Sequence, residues 1–230
     1  IRLSLVGSEM CIRDSFKGKF ITFEGGDGCG KSTQAKLLVE ALREKGYDVV
    51  HTREPGGSSG AEEIRSLILT GDADRWSPET ELLLFNAARR DHLERTIKPA
   101  LEAGKVVICD RFVDSSRVYQ GLTRGDLRKL VDDLHALMIG VEADLTVLMD
   151  IDPEEGLRRG LSRIDAEERF ESFGLSFQKK VHDGFRALEH DYPERVRRVD
   201  GSGTPEEVLP RVISCLENFF AKQAENEPVI

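Results

Sequence analysis

The octapeptide Gly25-Gly26-Asp27-Gly28-Cys29-Gly30-Lys31-Ser32 fits the pattern G-x-x-x-x-G-K-[ST]. It constrains the fold more than any other feature, because the pattern works only between a strand and a helix. Both are legible. Residues 19–24 (KFITFE) are β-branched and aromatic and stop at glycines, as a strand does. Across residues 30–45, Ala35, Leu38, Ala41 and Leu42 recur at helical spacing, and Gly46 is placed to end the helix. Glycines let a backbone wrap an anion without Cβ clashes, and successive N–H groups at a helix N-terminus then face phosphate oxygens. Lys31 adds a charge that can follow a migrating phosphoryl group, and the Ser32 hydroxyl suits Mg²⁺. The expected phosphate-binding set is Gly25, Gly26, Asp27, Gly28, Cys29, Gly30, Lys31, Ser32 and Thr33, with Ser32 on the metal. The glycines do not follow the dinucleotide spacing G-x-G-x-x-G. Cys29 reads as a redox thiol or as a small filler, and the second reading is preferred. Asp27 is costly in an anion-binding loop unless it meets a substrate hydroxyl, a metal-bound water or an arginine.

Strands and helices alternate along the rest of the chain. Strand patterns fall at 47–52, 105–109 (KVVIC), 145–149 (LTVLM) and 195–199, the last with an edge-strand alternation of apolar and basic residues. Helices are expected at 62–69, 78–103 with a bend near Pro99, 127–138, 177–190, and after the caps at Asp152 and Thr204. That order predicts an α/β chain with a parallel five-stranded sheet covered by helices on both faces. No linker divides residues 16–222, which read as one domain. Residues 1–15 resemble translated adaptor read-through, with a disordered extension as the alternative, and residues 223–230 read as a flexible tail. The net charge of −9 argues against broad binding to nucleic acid, and no apolar run reaches the ~18 residues of a membrane span. The four cysteines form no C-x-x-C pair and the five histidines match no metal spacing, so a reducing compartment and structural or surface histidines are expected.

Three further segments carry chemistry. Thr52-Arg53-Glu54-Pro55-Gly56-Gly57 follows the second strand, where α/β proteins place ligands, although an ordinary turn with a surface ion pair would look the same. Phe85, Arg89, Leu93 and Ile97 fall on one helix stripe, which puts Arg89 on an apolar face. It needs either a structural carboxylate or a polar ligand beside the Phe85 ring, and the pattern weighs the two equally. Asp110-Arg111-Phe112 ends the KVVIC strand, where an arginine can clamp a phosphate bidentately.

With the glycine loop, TREPGG, LLLFNAAR and ICDRFVDSSRVYQG in view, the chain resembles the thymidylate kinase family, in the nucleoside-monophosphate kinase group of P-loop proteins, over about residues 16–220. The resemblance implies a three-layer P-loop kinase fold with a short lid at about 158–173. It implies transfer of the γ-phosphoryl group of Mg-ATP to dTMP, giving dTDP and ADP for dTTP synthesis. Asp27 would meet the acceptor sugar, and Glu54 with Arg53 would lie near the acceptor phosphate and metal. Phe85 would stack on thymine and Arg89 would read it. Arg111, after Asp110, would hold the acceptor phosphate. Ser115, Ser116 and Gln120 would reach the base, and Tyr119 would leave no room for a ribose 2′-hydroxyl. Some members carry a basic residue after the loop acid, where this chain has Gly28, and those without it use lid arginines. Glu168-Arg169-Phe170-Glu171 resembles the lid motif D-R-x-E, which makes Arg169 the first choice and Arg163 the second. The catalytic set is then Lys31, Arg111, Arg169, Arg163 and Asp27. A cytoplasmic homodimer with no nucleic-acid or membrane partner is the remaining implication. Two rivals stay open: a kinase for another nucleotide or nucleoside, and a P-loop regulatory NTPase without an acceptor.

Overall fold

A computed structural model describes residues 18–72, 75–123, 126–161 and 174–226. Its sheet has five strands: β1 (Phe20–Glu24), β2 (Val49–Arg53), β3 (Val106–Asp110), β4 (Leu145–Asp150) and β5 (Val196–Asp200). They lie in the order β2-β3-β1-β4-β5, with every neighbouring pair parallel. The strand with the apolar–basic alternation is at an edge, as its pattern predicts, and the strands with buried apolar runs are central. β1 registers Phe20 against Val107 and Ile21 against Leu145.

The period-2 alternation of the strands sorts their side chains into two helical layers. Ile21 and Phe23 join Val106 and Ile108 in a core with helices α1 (Lys31–Glu44) and α9 (Pro205–Asn226). Phe20, Val107 and Cys109 face the other way, toward α3 (Pro78–His92) and α6 (Arg128–Met138). Helices α2 (Ser59–Leu69), α4 (Lys98–Glu102), α5 (Val113–Val118), α7 (Pro153–Leu161) and α8 (Gly174–Asp191) complete the layers. The expected caps are in place. Asp152 Oδ1 accepts from Glu154 N at 2.9 Å, and Thr204 and Glu207 form a reciprocal capping box.

Among the differences from expectation, three stand out, while the helix expected at 177–190 begins at Gly174 and the strand expected at 47–52 lies at Val49–Arg53. The helix expected over 78–103 contains a π turn at Leu93–Ile97, one turn before Pro99. Pro99 has no N–H and its ring crowds the carbonyl four residues back, so the widened turn absorbs the misfit upstream of the proline. α2 begins at Ser59 and not near 62, because the loop is pulled tight by a bond from Gly57 N to Glu62 Oε1 at 3.0 Å. α9 runs to Asn226, four residues into the expected tail.

The connection from β1 leads across β3 to β2, while the connection from β3 leads back across β1 to β4. The loops after β1 and β3 therefore diverge and open a crevice at their carboxyl ends. Among the described residues no helix is long and apolar enough to cross a membrane.

Candidate active site

Four segments meet at that crevice: the glycine loop, the turn after β2, helix α3, and the turn leading into α5. They line two clefts that share Asp27, Glu54 and Arg111. The first cleft adds Phe85, Arg89, Ser115, Ser116, Tyr119 and Gln120. The second adds Gly28, Gly30, Lys31, Ser32, Arg53 and Asp110. Gly25, Gly26 and Cys29 border a smaller recess behind the loop, and Thr33 is half-buried on α1 beyond the lining of all three. Arg163 and Arg169 lie outside the described residues. Arg158 is exposed and pairs with Glu155 at 2.6 Å, an ordinary solvated helix face.

The glycine loop has the geometry its spacing demands. Gly25, Gly28 and Gly30 have φ of 136°, 74° and 91°, open only to glycine at low cost. At Gly28 a Cβ would stand 2.0 Å from the Gly156 carbonyl oxygen on α7, so a side chain there has no room. Lys31 is buried, and its ammonium donates to the Gly25 and Gly26 carbonyls at 3.0 and 2.6 Å. Cys29 packs into the core as a filler. The Ser32 hydroxyl hydrogen-bonds to Asp110 Oδ2, and Asp110 Oδ1 is buried without a partner. A hydroxyl beside a carboxylate with an unused oxygen fits Mg²⁺, which keeps several waters and needs few protein ligands. Sequence reasoning puts Ser32 alone on the metal and assigns Asp110, with Arg111, to substrate binding.

Where the clefts meet, Arg111 pairs with Asp27 Oδ1, donates to Ser115 Oγ at 3.1 Å and lies over the Tyr119 ring at 5.4 Å. The task Asp27 required is thus an arginine, together with the Tyr119 hydroxyl that donates to Oδ2 at 3.1 Å. Burial alone would raise the Asp27 carboxyl, but Arg111 and Lys31 hold it below its ordinary value. Burial and the Asp27 charge push the Tyr119 phenol well up, so it remains a donor.

Arg89, 2 % exposed, has the carboxylate partner that its place on an apolar face requires. Its Nε donates to Glu54 Oε2 at 2.7 Å, and Nη2 donates to Ser116 Oγ at 3.1 Å and to the Phe112 carbonyl at 3.3 Å. Nη1 is buried with no partner in a cleft that Phe85, one turn earlier, also lines. A buried donor left open is costly unless a ligand accepts from it. Glu54 is ionised: burial would raise it, but Arg89 and then His92 bring it below the usual range. Gln120 reaches the cleft while its amide donates to Glu81 at 2.8 Å. Arg53 is at the mouth, paired with Glu62 at 3.1 Å.

Glu24 was missed by sequence reasoning. This last residue of β1 is fully buried and accepts from Phe112 N at 2.7 Å, Ser115 N at 3.1 Å and Ser115 Oγ at 2.6 Å. It holds the turn in which Arg111 adopts φ 69°, a left-handed conformation that survives only when its surroundings over-determine it. An acid closing an otherwise apolar strand directly before the glycines was the available signal. Burial, with the Asp114 charge next, raises its carboxyl from 4.5 to about 7. Because the folded value lies above the unfolded one, the group's contribution to stability is complete below 4.5 and is lost as pH rises through about 7. Glu24→Gln, which mimics the protonated form, should match the parent near about pH 5 and exceed it by a few kcal/mol near about pH 8. Urea denaturation at both values measures this, and a pH-independent difference refutes it.

A phosphate cradle at the crevice of a parallel sheet, joined through a half-buried Asp–Arg pair to a second cleft with an open donor, defines a P-loop phosphotransferase with a separate acceptor pocket. The thymidylate kinase family model matches residues 23–212. The chain is 67% identical over 185 residues to a thymidylate kinase of Ruegeria pomeroyi, covering 80% of this chain and 88% of that one. It is 60% identical over 199 residues to a thymidylate kinase of Dinoroseobacter shibae, covering 86% and 96%. A crystal structure of thymidylate kinase from Ehrlichia chaffeensis superposes with a TM-score of 0.69 at 37% identity, covering 86% of this chain and 98% of that one. The chain belongs to the thymidylate kinase family.

Proposed function

We propose that this chain transfers the γ-phosphoryl group of Mg-ATP to dTMP, giving dTDP and ADP on the route to dTTP. The observation that carries the reading is the junction of the two clefts at Asp27, Glu54 and Arg111, one side lined by the glycine loop, Lys31 and Ser32 and the other by Phe85 and Arg89. The glycine-loop amides and Lys31 hold the donor phosphates. Mg²⁺, held by Ser32 and Asp110, would neutralise charge on the phosphates in transit. Arg111 turns from Asp27 toward the acceptor phosphate, which needs no general base because it is already an anion. Phe85 stacks the thymine, and the open Nη1 of Arg89 donates to a carbonyl oxygen of the ring. Lid arginines, Arg169 and then Arg163, complete the charge stabilisation. A coupled assay of ADP release with dTMP, dUMP, dCMP and the ribose analogue of dTMP tests this. dTMP should be the best acceptor, and ATP turnover indifferent to dTMP would favour the regulatory NTPase.

Tyr119 stands against the sugar side of the pocket, its ring packed on Phe185 at 6.0 Å. Tyr119→Ala should raise the relative kcat/KM for the ribose analogue about tenfold, because steric exclusion is lost. An unchanged deoxyribose preference rejects the role.

We also propose a homodimer. Leu83 and Arg90 share a stripe of α3, and Arg90 Nη1 donates to the Met138 carbonyl at 2.6 Å. Leu83 on α3 and Leu137 and Met138 on the adjoining α6 are exposed, apolar surface that a second copy would cover. Light scattering should give the mass of two chains, and a monomer mass rejects the proposal.

A further inference from the structure

His92, at the end of α3, is fully buried and lines neither main cleft. It nevertheless bridges the two segments that build the acceptor pocket. Its Nδ1 is 3.1 Å from Glu54 Oε1, and its Nε2 is 2.7 Å from Thr52 Oγ1. Glu54, the ionised partner of Arg89, can only accept, so Nδ1–H donates to it. Nε2 shares its hydrogen bond with the Thr52 hydroxyl. Glu54 passes the constraint on, because its second oxygen receives Arg89 Nε at 2.7 Å. The chain Thr52–His92–Glu54–Arg89 ends at Arg89 Nη1, a guanidinium nitrogen buried without a partner.

The loop after β2 is shaped around this contact. Gly57 has φ 84°, and a Cβ there would lie 2.3 Å from Thr52 Oγ1 and 2.4 Å from His92 Nε2. Only glycine lets the turn close over the pair, and Thr96 Oγ1 fastens it by donating to the Gly57 carbonyl at 2.7 Å. The TREPGG segment thus acts as a clip whose threonine and second glycine engage the imidazole while its glutamate engages the arginine.

We propose that His92 is a positioning residue for acceptor-base recognition, acting through Glu54 to set the rotamer of Arg89. This rests on the assignment of the first cleft to the dTMP base. Three forces converge on the guanidinium plane: Glu54, the Ser116–Phe112 acceptors and the Phe112 ring at 5.3 Å. Of these, Glu54 is the partner charged opposite to it, and a carboxylate held by one donor fewer can rotate. Nη1 would then sample directions that miss a ring carbonyl, and discrimination between a carbonyl and an amino group at that ring position would fall.

His92→Leu, His92→Asn and Thr52→Val, assayed as full chains beside the parent with dTMP, dCMP and ATP, test the proposal. His92→Leu should raise KM for dTMP about tenfold, ~1.4 kcal/mol, leave KM for ATP within about twofold, and lower the dTMP/dCMP ratio of kcat/KM. His92→Asn, whose amide can replace the Nδ1 donor, should recover most of the loss. Thr52→Val should show a smaller rise of about threefold. If His92→Leu does not fold, the other two variants carry the test by the same parameters. Folded variants that lose thermal stability but keep the parent KM for dTMP and the parent base ratio overturn the proposal and make His92 purely structural. A parent with no dTMP-dependent turnover overturns instead the functional reading on which it rests.

Discussion

Lys31→Ala should lower kcat about a thousandfold while calorimetric affinity for dTMP stays within about twofold. The ammonium is folded back on the Gly25 and Gly26 carbonyls at 3.0 and 2.6 Å. Those bonds are to neutral acceptors, whereas phosphate oxygens offer a charged one, so the ammonium gains by moving onto the phosphates. The gain grows as negative charge redistributes during transfer, which is why the effect falls on turnover and not on acceptor binding. The acceptor cleft does not use Lys31. Turnover within tenfold of the parent would remove Lys31 from the reaction, and an equal loss of dTMP affinity would mean that the loop had collapsed.

Arg89→Met should cost both stability and recognition. Met keeps the volume and removes the charge, leaving Glu54, at 5 % exposure, with His92 as its remaining side-chain donor. Breaking a buried pair by deleting one partner strands the other charge, at about 3 kcal/mol. The same change removes the open Nη1 donor, so KM for dTMP should rise about thirtyfold, the size of a lost charged hydrogen bond. Chemical denaturation reads the first effect and steady-state kinetics the second. A stable variant with the parent KM would show that the buried pair is replaceable and that the base is read elsewhere.

These two residues differ in how far the chain alone revealed them. Lys31 was legible because all that defines its role is local: glycines, lysine and serine in eight consecutive positions between a strand and a helix. Arg89 was half legible. Its helical stripe showed that it faces inward, but the choice between a structural partner and a ligand depended on Glu54, 35 residues away. Glu24 and His92 were not found, because each acts on segments remote in sequence. Glu24 grips Phe112 across 88 positions, and His92 reaches Thr52 across 40. Likewise Ser115 was expected at the base, and the fold places its hydroxyl between Glu24 and Arg111.

Strand identity, the parallel sheet, the caps and the phosphate cradle were set by side-chain period and by backbone freedom at glycine, properties that act over a few residues. The strand order β2-β3-β1-β4-β5, the left-handed Arg111 and the widened turn before Pro99 were decided by packing. So was the joining of two clefts through Asp27, Glu54 and Arg111. The physical reason is burial: a carboxylate or guanidinium taken out of water must find its counterpart wherever the fold supplies one, and that requirement has no period and no fixed spacing along the chain.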